Sequence, residues 1–405
     1  MTPFIFPVFS MCICTFLCCT ACLAQTKNTE TRFFSDVTTT HLPLDEKTHA
    51  LDVALADFNR DGHLDIVLAL ESQPNRLYLN DGTGRFTWVR GVFLNANHDT
   101  EHVRVGDFDG DGLLDVIFVA EDDQNHEFYL GNGDGTFKNV SDRLLGKSEA
   151  NGLAIGDVNN DGLLDVVIGN SGDKPANFLW LNNKDNPGFF INASSRSLPP
   201  HLDQTQSVKL VDVNNDGFLD MVIGNEVAPN RLYFNDGKGN FYEKEGALPQ
   251  TVPLHTREVI AFDANADGQV DLLFANLASN GGGRDNDPRA RLFINQGDGF
   301  FKDETEKRIP NFEFSTYAAH SIDYNRDGAI DIILSAIMIP PFQAYQVQAL
   351  KNDGNGYFTL VTDSVIPEST YGRSWGIAVG DVNNDGIPDL VIGAWGDQVR
   401  LLLGK

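Results

Sequence analysis

The chain has 405 residues, a formal charge of −27 and only five cysteines. Such an acidic balance excludes nucleic acid and anionic membrane surfaces as partners, because like charges repel. The length would suit two or three ordinary domains, or one domain if the architecture is a closed β fold.

All five cysteines, Cys12, Cys14, Cys18, Cys19 and Cys22, fall in the first 22 residues, within an apolar run over 4–24. The run is short for a membrane span and reads as a secretory signal over 1–24, although no Lys or Arg stands near its start. Two processing routes are open. Cys22-Leu23-Ala24 resembles a small-x-small cleavage site, whereas Thr20-Ala21-Cys22 resembles the end of a lipoprotein box that would anchor Cys22 to lipid, with Cys19 where that box usually has Leu. A structural strand there is disfavoured, since five thiols are a hazard in an oxidising compartment. Residues 25–31 form a polar linker, and a secreted, periplasmic or cell-surface location is expected.

From residue 32 onward a nine-residue loop recurs seven times, with Asp at position one, Asn or Asp at three, Asp at five, Gly at six and Asp at nine. The copies are Asp57, Asn59, Asp61 and Asp65; Asp107, Asp109, Asp111 and Asp115; Asp157, Asn159, Asp161 and Asp165; Asp212, Asn214, Asp216 and Asp220; Asp263, Asn265, Asp267 and Asp271; Asp323, Asn325, Asp327 and Asp331; and Asp381, Asn383, Asp385 and Asp389. Oxygen side chains on alternate residues, with a Gly that turns the backbone, suit a hard cation such as Ca2+. Plain Asp-Gly turns without metal are disfavoured because the carboxylates would repel. One divalent ion in each of seven loops would bring the charge from −27 to −13.

A short alternating run precedes each loop and a β-branched run follows it, so the loop joins two strands. A second pattern follows about a dozen residues later: Leu77-Tyr-Leu-Asn80-Asp81-Gly82-Thr-Gly84-Arg-Phe86, repeated at 232–241 and, with variation, at 128–137, 292–301 and 349–358. It marks a tight hairpin between a third and an outer strand. The third unit departs, with a wider turn over 182–188. The loops begin 50, 50, 55, 51, 60 and 58 residues apart. Four strands in each repeat predict an all-β, seven-bladed β-propeller. The last unit stops in its third strand at Leu401-Leu-Leu-Gly404-Lys405. Phe33-Phe34-Ser-Asp36-Val37-Thr38 resembles an outer strand, so the N-terminal strand is expected to complete the last blade and close the ring.

These residues resemble the FG-GAP or VCBS repeat proteins and, through them, the integrin alpha-subunit head, over 32–405. The resemblance implies a seven-bladed propeller holding up to seven structural Ca2+ ions. It assigns as ligands the side chains at positions one, three, five and nine and the backbone carbonyl at position seven. An EF-hand is excluded, because position 12, which would need a bidentate acid, is Leu68, Phe118, Ile168, Ile223, Phe274, Leu334 and Ile392.

Near-identical repeats make scaffold, and their differences make specificity. The starts of the first strands, opposite the Asp loops, carry His102, Asn151, Gln206, Arg257, Tyr317 and Trp375. A ring of these suits a polar, planar or sugar-like ligand, though they could equally cap strand ends. Two long crossovers, 276–291 and 335–348, could add a polar flap and an apolar lip or pack down on their neighbours. Two Asn-x-Ser sequons stand at Asn139 and Asn192. No nucleophile elbow, phosphate loop or zinc spacing occurs, so no catalytic residues are assigned. Two functions follow: a binding or adhesion module for a glycan or extracellular protein, or a polysaccharide lyase in which His102, Arg257 and Tyr317 abstract a proton from a uronic acid.

Overall fold

A run such as Asp65–Leu70 has no polar face, so as a strand it needs cover on both sides. The strands that follow the Asp loops, Asp65–Leu70, Asp115–Ala120, Asp165–Asn170, Asp220–Asn225, Asp271–Asn276 and Asp331–Leu334, are buried at every position. Each pairs antiparallel with the strand before its loop: Thr48–Ala56, Thr100–Gly106, Ala150–Gly156, Thr205–Val211, Thr256–Phe262 and Ala319–Ile322, with Ser374–Gly380 meeting Asp389–Asp397 in the last unit. In every unit the register ends on the loop's ninth residue, as in Ala56↔Asp65 and Gly380↔Asp389.

The computed structural model describes residues 32–405 apart from 46, 174, 250–252, 279–287, 313–314, 338–345 and 373. The chain divides into Met1–Thr31 and Arg32–Lys405. The expected signal, Cys22 and the linker lie outside the described residues, as do 279–287 and 338–345 of the long crossovers.

Arg32–Lys405 is a β-propeller. Among the described residues it has five separate four-stranded sheets and one eight-stranded sheet. The larger sheet consists of the first and last groups, joined where the extended strands Thr48–Ala56 and Asp389–Asp397 pair through Thr48↔Asp397 and His49↔Trp395. The expected closure is present: Ser35–Asp36 adds to Arg400–Leu403, with Ser35↔Leu403 and Asp36↔Leu402. The first strands touch in succession round a cycle, and Ser374–Gly380 meets Thr48–Ala56.

The core is divided among the interfaces between neighbouring sheets. Val67, Phe93, Phe118 and Tyr129 pack the first group on the second; Phe108, Ile117, Ile168 and Trp180 pack the second on the third. Ile66, Tyr78, Val391 and Leu401 pack the first on the last. Side chains also stitch the groups together. Asn75, Asn177 and Asn230 accept the backbone N–H of Leu70, Asn170 and Asn225 in their own group, and donate to the hydroxyls of Thr100, Thr205 and Thr256 in the next. His126 takes this place in the second group, with Nδ1 accepting from Ala120 N–H and Nε2–H donating to Ser148.

Sequence reading missed a short helical turn after several outer strands: Thr38–His41, Ser141–Arg143, Ser194–Ser197, Thr305–Arg308 and Thr362–Val365. In the first four its signal is Asp or Asn two residues before Ser or Thr, whereas Leu360 stands there before Thr362. The acidic or amide oxygen of Asp36, Asn139, Asn192 and Asp303 accepts the N–H of Thr38, Ser141, Ser194 and Thr305. The hydroxyl then accepts a third-strand N–H, as from Leu401, Phe128, Leu179 and Leu292. The two Asn-x-Ser sequons are therefore instances of a turn that Asp-x-Thr makes elsewhere.

Phe34 is 1% exposed and packs against Tyr324 and Leu402. Phe34→Ala is expected to cost about 3–5 kcal/mol in urea unfolding. A loss below about 1 kcal/mol would show that the last group holds without the N-terminal strand.

Candidate functional site

The Asp loops are organised by backbone conformation. The Gly at position six has φ between 77° and 91° in all seven copies, as the turn requires. Position four is also left-handed, which sequence reading did not foresee: Arg60, Asn160, Asn215, Ala266, Arg326 and Asn384 have φ of 57–60°, and Gly110 has 77°. The signal was present in the three Asn and one Gly at this position. For Arg and Ala the conformation is strained, so the rest of the loop must hold it.

Backbone N–H groups supply that hold. The N–H of position six donates to one oxygen of the position-one Asp at 2.7–2.9 Å in every loop. The N–H of position seven donates to the position-five Asp. The N–H of position five likewise donates to the position-three side chain, so the side chains at positions one, three and five are all tied to the loop's own backbone. In the second loop, carboxylate oxygens of Asp107, Asp109 and Asp115 lie within 4.8 Å of one another.

The ninth residue differs from the other three. Asp65, Asp115, Asp165, Asp220, Asp271, Asp331 and Asp389 are each 0% exposed. In every loop but the sixth, one oxygen accepts the N–H of position two, as from Phe58 to Asp65 at 3.0 Å. The other accepts an N–H at the end of the third strand, as from Asn80 at 2.8 Å. Burial, reinforced by the neighbouring loop carboxylates and only partly offset by these hydrogen bonds, pushes Asp65, Asp220, Asp271 and Asp389 up to about 6. Asp115, Asp165 and Asp331 rise to about 7 for the same reasons. Asp331 Oδ2 is buried with no hydrogen-bond partner among the described residues. A wholly oxygen donor set, crowded carboxylates and an orphaned buried carboxylate oxygen all fit a hard divalent cation.

At the opposite end of the first strands the register slips by one residue in most groups, as between Thr100 and His102, Ala150 and Gly152, and Thr256 and Glu258. This bulge re-aims side chains and splits the expected ring. Gln206, Arg257, Tyr317 and Trp375 come together. Arg257 donates to Gln206 and lies 5.4 Å from the Tyr317 ring, and Tyr317 meets Trp375 edge-on at 4.1 Å. Asn151 donates instead to Glu121 and Ser171.

His102 is a correction. It stands one position later than the others, 7% exposed, with Nδ1 on Asp52 at 3.1 Å and Nε2 on the Asn151 carbonyl at 2.8 Å. The residue in register with the ring is Glu101, whose carboxylate accepts from the Tyr317 hydroxyl at 3.2 Å. Burial, with Glu121 beside it, raises Glu101 well above the usual carboxylate range. Counting six residues back from each loop would have found it. Trp395 extends the aromatic set, 6.4 Å from Trp375, stacked on His49 at 4.8 Å and bonded to Glu71. It lies 14 residues after its loop begins, where Glu71 and Glu121 also stand.

His102 belongs to a different, charged set along the first strands. Burial opposes the charge of Asp52, yet Arg104 at 2.7 Å and His102 hold it down to about 2. Burial raises Glu258 and lowers Lys209 nearby. Elsewhere, a cleft of about 530 Å³ opens between the third and fourth groups, lined by Phe178, Leu198, Pro199, His201, Met221 and Tyr233. Among the described residues, no helix is long and apolar enough to cross a membrane.

Residues 57–118, 117–168, 157–223, 212–274, 263–334 and 337–392 match the FG-GAP-like repeat. The chain is 30% identical over 189 residues to cartilage acidic protein 1 of Xenopus tropicalis, covering 44% of this chain and 28% of that protein. The mouse protein of that name is 28% identical over 204 residues, 48% of this chain and 30% of its own length. This chain thus spans under a third of the relatives it matches. In fold it is similar to BBS1N, solved in complex with ARL6DN, with a TM-score of 0.56 at 8% identity over 92% of this chain and 97% of that one.

The raised position-nine carboxylates set a pH dependence for the metal-free protein. Their folded pKa exceeds the unfolded value, so the folded state binds more protons between about pH 4 and 7 and stability falls as pH rises through that window. Thermal melts of chelated protein are expected to show Tm dropping from pH 4.5 to 7.5, at about these carboxylate pKa values. A rising or level Tm would show that the carboxylates are already compensated.

Proposed function

Because the chain belongs to the FG-GAP-like repeat family, we propose that it is a calcium-stiffened propeller that binds a glycan or an extracellular protein through the face opposite its Asp loops. The observation that carries the calcium reading is the buried position-nine carboxylate, repeated in every loop together with three further oxygen side chains. A Ca2+ ion supplies the positive charge that lets these groups stay ionised inside the fold. The side chains of positions one, three, five and nine and the carbonyl of position seven hold it. A secreted or cell-surface location, where millimolar calcium is met, fits loops of modest affinity.

Recognition at the opposite face rests on contrast. The loops repeat, whereas the first-strand starts bring Arg257, Tyr317 and Trp375 together, with Trp395 of the last group's second strand beside them, and this set nowhere repeats. Aromatic rings with an adjacent guanidinium and carboxylates offer stacking and directional hydrogen bonds, which suit a sugar or a polar protein side chain. Nothing favours the lyase reading. Both ring nitrogens of His102 face acceptors in the strand-lining set, apart from Tyr317.

Titrating chelated protein with Ca2+ at neutral pH is expected to raise Tm, with stabilisation of about 2.7 kcal/mol per site at a hundredfold excess over Kd. An unchanged Tm would remove the calcium reading. On a glycan array and a panel of extracellular proteins, Trp375→Ala is expected to weaken the wild-type ligand about tenfold or more, about 1.4 kcal/mol. Undiminished binding by that variant would move recognition to the cleft between the third and fourth groups.

A further inference from the structure

The Asp loops are not independent of one another. In five groups the third strand ends on Asn: Asn80, Asn182, Asn235, Asn295 and Asn352. Each of these residues joins its own loop to the loop of the preceding group. Asn235 shows the linkage. Its backbone N–H donates to Asp220 Oδ1 at 2.9 Å and its Nδ2 to the Leu219 carbonyl at 2.9 Å, both in the fourth loop. The same Nδ2 donates to the Val158 carbonyl at 2.8 Å, in the third loop, and Val158 N–H donates to Asp165 Oδ2 at 3.0 Å. Two buried carboxylates of neighbouring loops are therefore connected through one Asn and the backbone of one residue, Val158.

The other pegs repeat it. Asn182 reaches Phe108 of the second loop, Asn295 reaches Val213 of the fourth, Asn352 reaches Ala264 of the fifth, and Asn80 reaches Val382 of the seventh, all at 2.8 Å. Two groups lack the peg, because Gly131 and Gly404 stand in its place. Their backbone N–H groups still hold Asp115 and Asp389. Neither can carry a side chain as placed: a β-carbon on Gly131 would collide with the Leu114 carbonyl, and one on Gly404 with Ile387 and the Pro388 carbonyl. At the first of these seams the Phe58 carbonyl is instead taken by the backbone of Gly135, in the hairpin. The pegs thus divide the loops into two runs, the second to the sixth and the seventh to the first.

We propose that cation uptake is positively coupled along each run and uncoupled across the seams at Gly131 and Gly404. The inference rests on the calcium reading above. A cation that orders one loop fixes its position-two peptide. The Asn whose side-chain amide is seated on the position-two carbonyl holds the next loop's position-nine carboxylate through its own backbone N–H, so the next cation meets a loop whose ordering is partly complete.

The test uses the full-length chelated protein titrated with Ca2+, with hydrogen exchange giving a midpoint for every loop. Asp323→Ala disables the sixth loop, which has a peg on one side and a seam on the other. The fifth-loop midpoint is expected to rise roughly fivefold or more, while the seventh-loop midpoint moves by less than about twofold. A double-mutant cycle covers the case in which that variant misfolds. Asp212→Ala should raise the third-loop midpoint when Asn235 is present and leave it unmoved in the Asn235→Ala background. Equal shifts in the fifth and seventh loops, or a third-loop shift that survives Asn235→Ala, overturn the coupling while the calcium reading stands. Absence of any Ca2+ response in the wild type overturns the calcium reading and the coupling with it.

Discussion

Seven fully buried aspartates, each at the end of an acidic loop, are the constraint from which the rest of this structure follows. Burying a carboxylate is costly unless hydrogen bonds or a cation compensate it. Here one oxygen grips the loop and the other grips the third strand, so a single side chain fixes three segments of a sheet at once. Both glycine and non-glycine residues in these loops adopt left-handed conformations, which the converging N–H groups make tolerable.

Because this grip recurs in all groups but the sixth, where Asp331 holds only the third strand, the loop face has little scope to vary. Substitution there would disturb the turn, the carboxylate and the inter-group peg together. The opposite end of the first strands carries no such burden. Bulges at these positions turn different residues toward one another, and the result is a mixed surface of aromatic rings, one guanidinium and several carboxylates. Division of a repeat scaffold into an invariant end and a variable end is how near-identical units come to present one particular surface.

The net charge of −27 has a similar explanation. Much of it lies in the loops, where a cation would offset it. Along the first strands, by contrast, Asp52 and Glu258 lie among Arg104, His102 and Lys209, and the charges there offset one another within the protein. Acidic excess is therefore concentrated where the repeat demands it.

The amino-acid sequence by itself determined the loops, the strand order, the tight hairpins and the completion of the last group by the N-terminal strand, Ser35–Asp36. Each of these depends on local chemistry or on a periodicity that can be counted along the chain. Glu101 in place of His102 was legible too, by counting back from the loop; only the tertiary structure decided which of these residues meet, and added Trp395 from a second strand, because the contacts form between sheets and not along the chain. Likewise, Asn at the end of a third strand looks like an ordinary turn former. Its second role, reaching a carbonyl as many as 302 residues away in a neighbouring loop, exists only once the sheets stand side by side and a carbonyl from one meets the amide of the next.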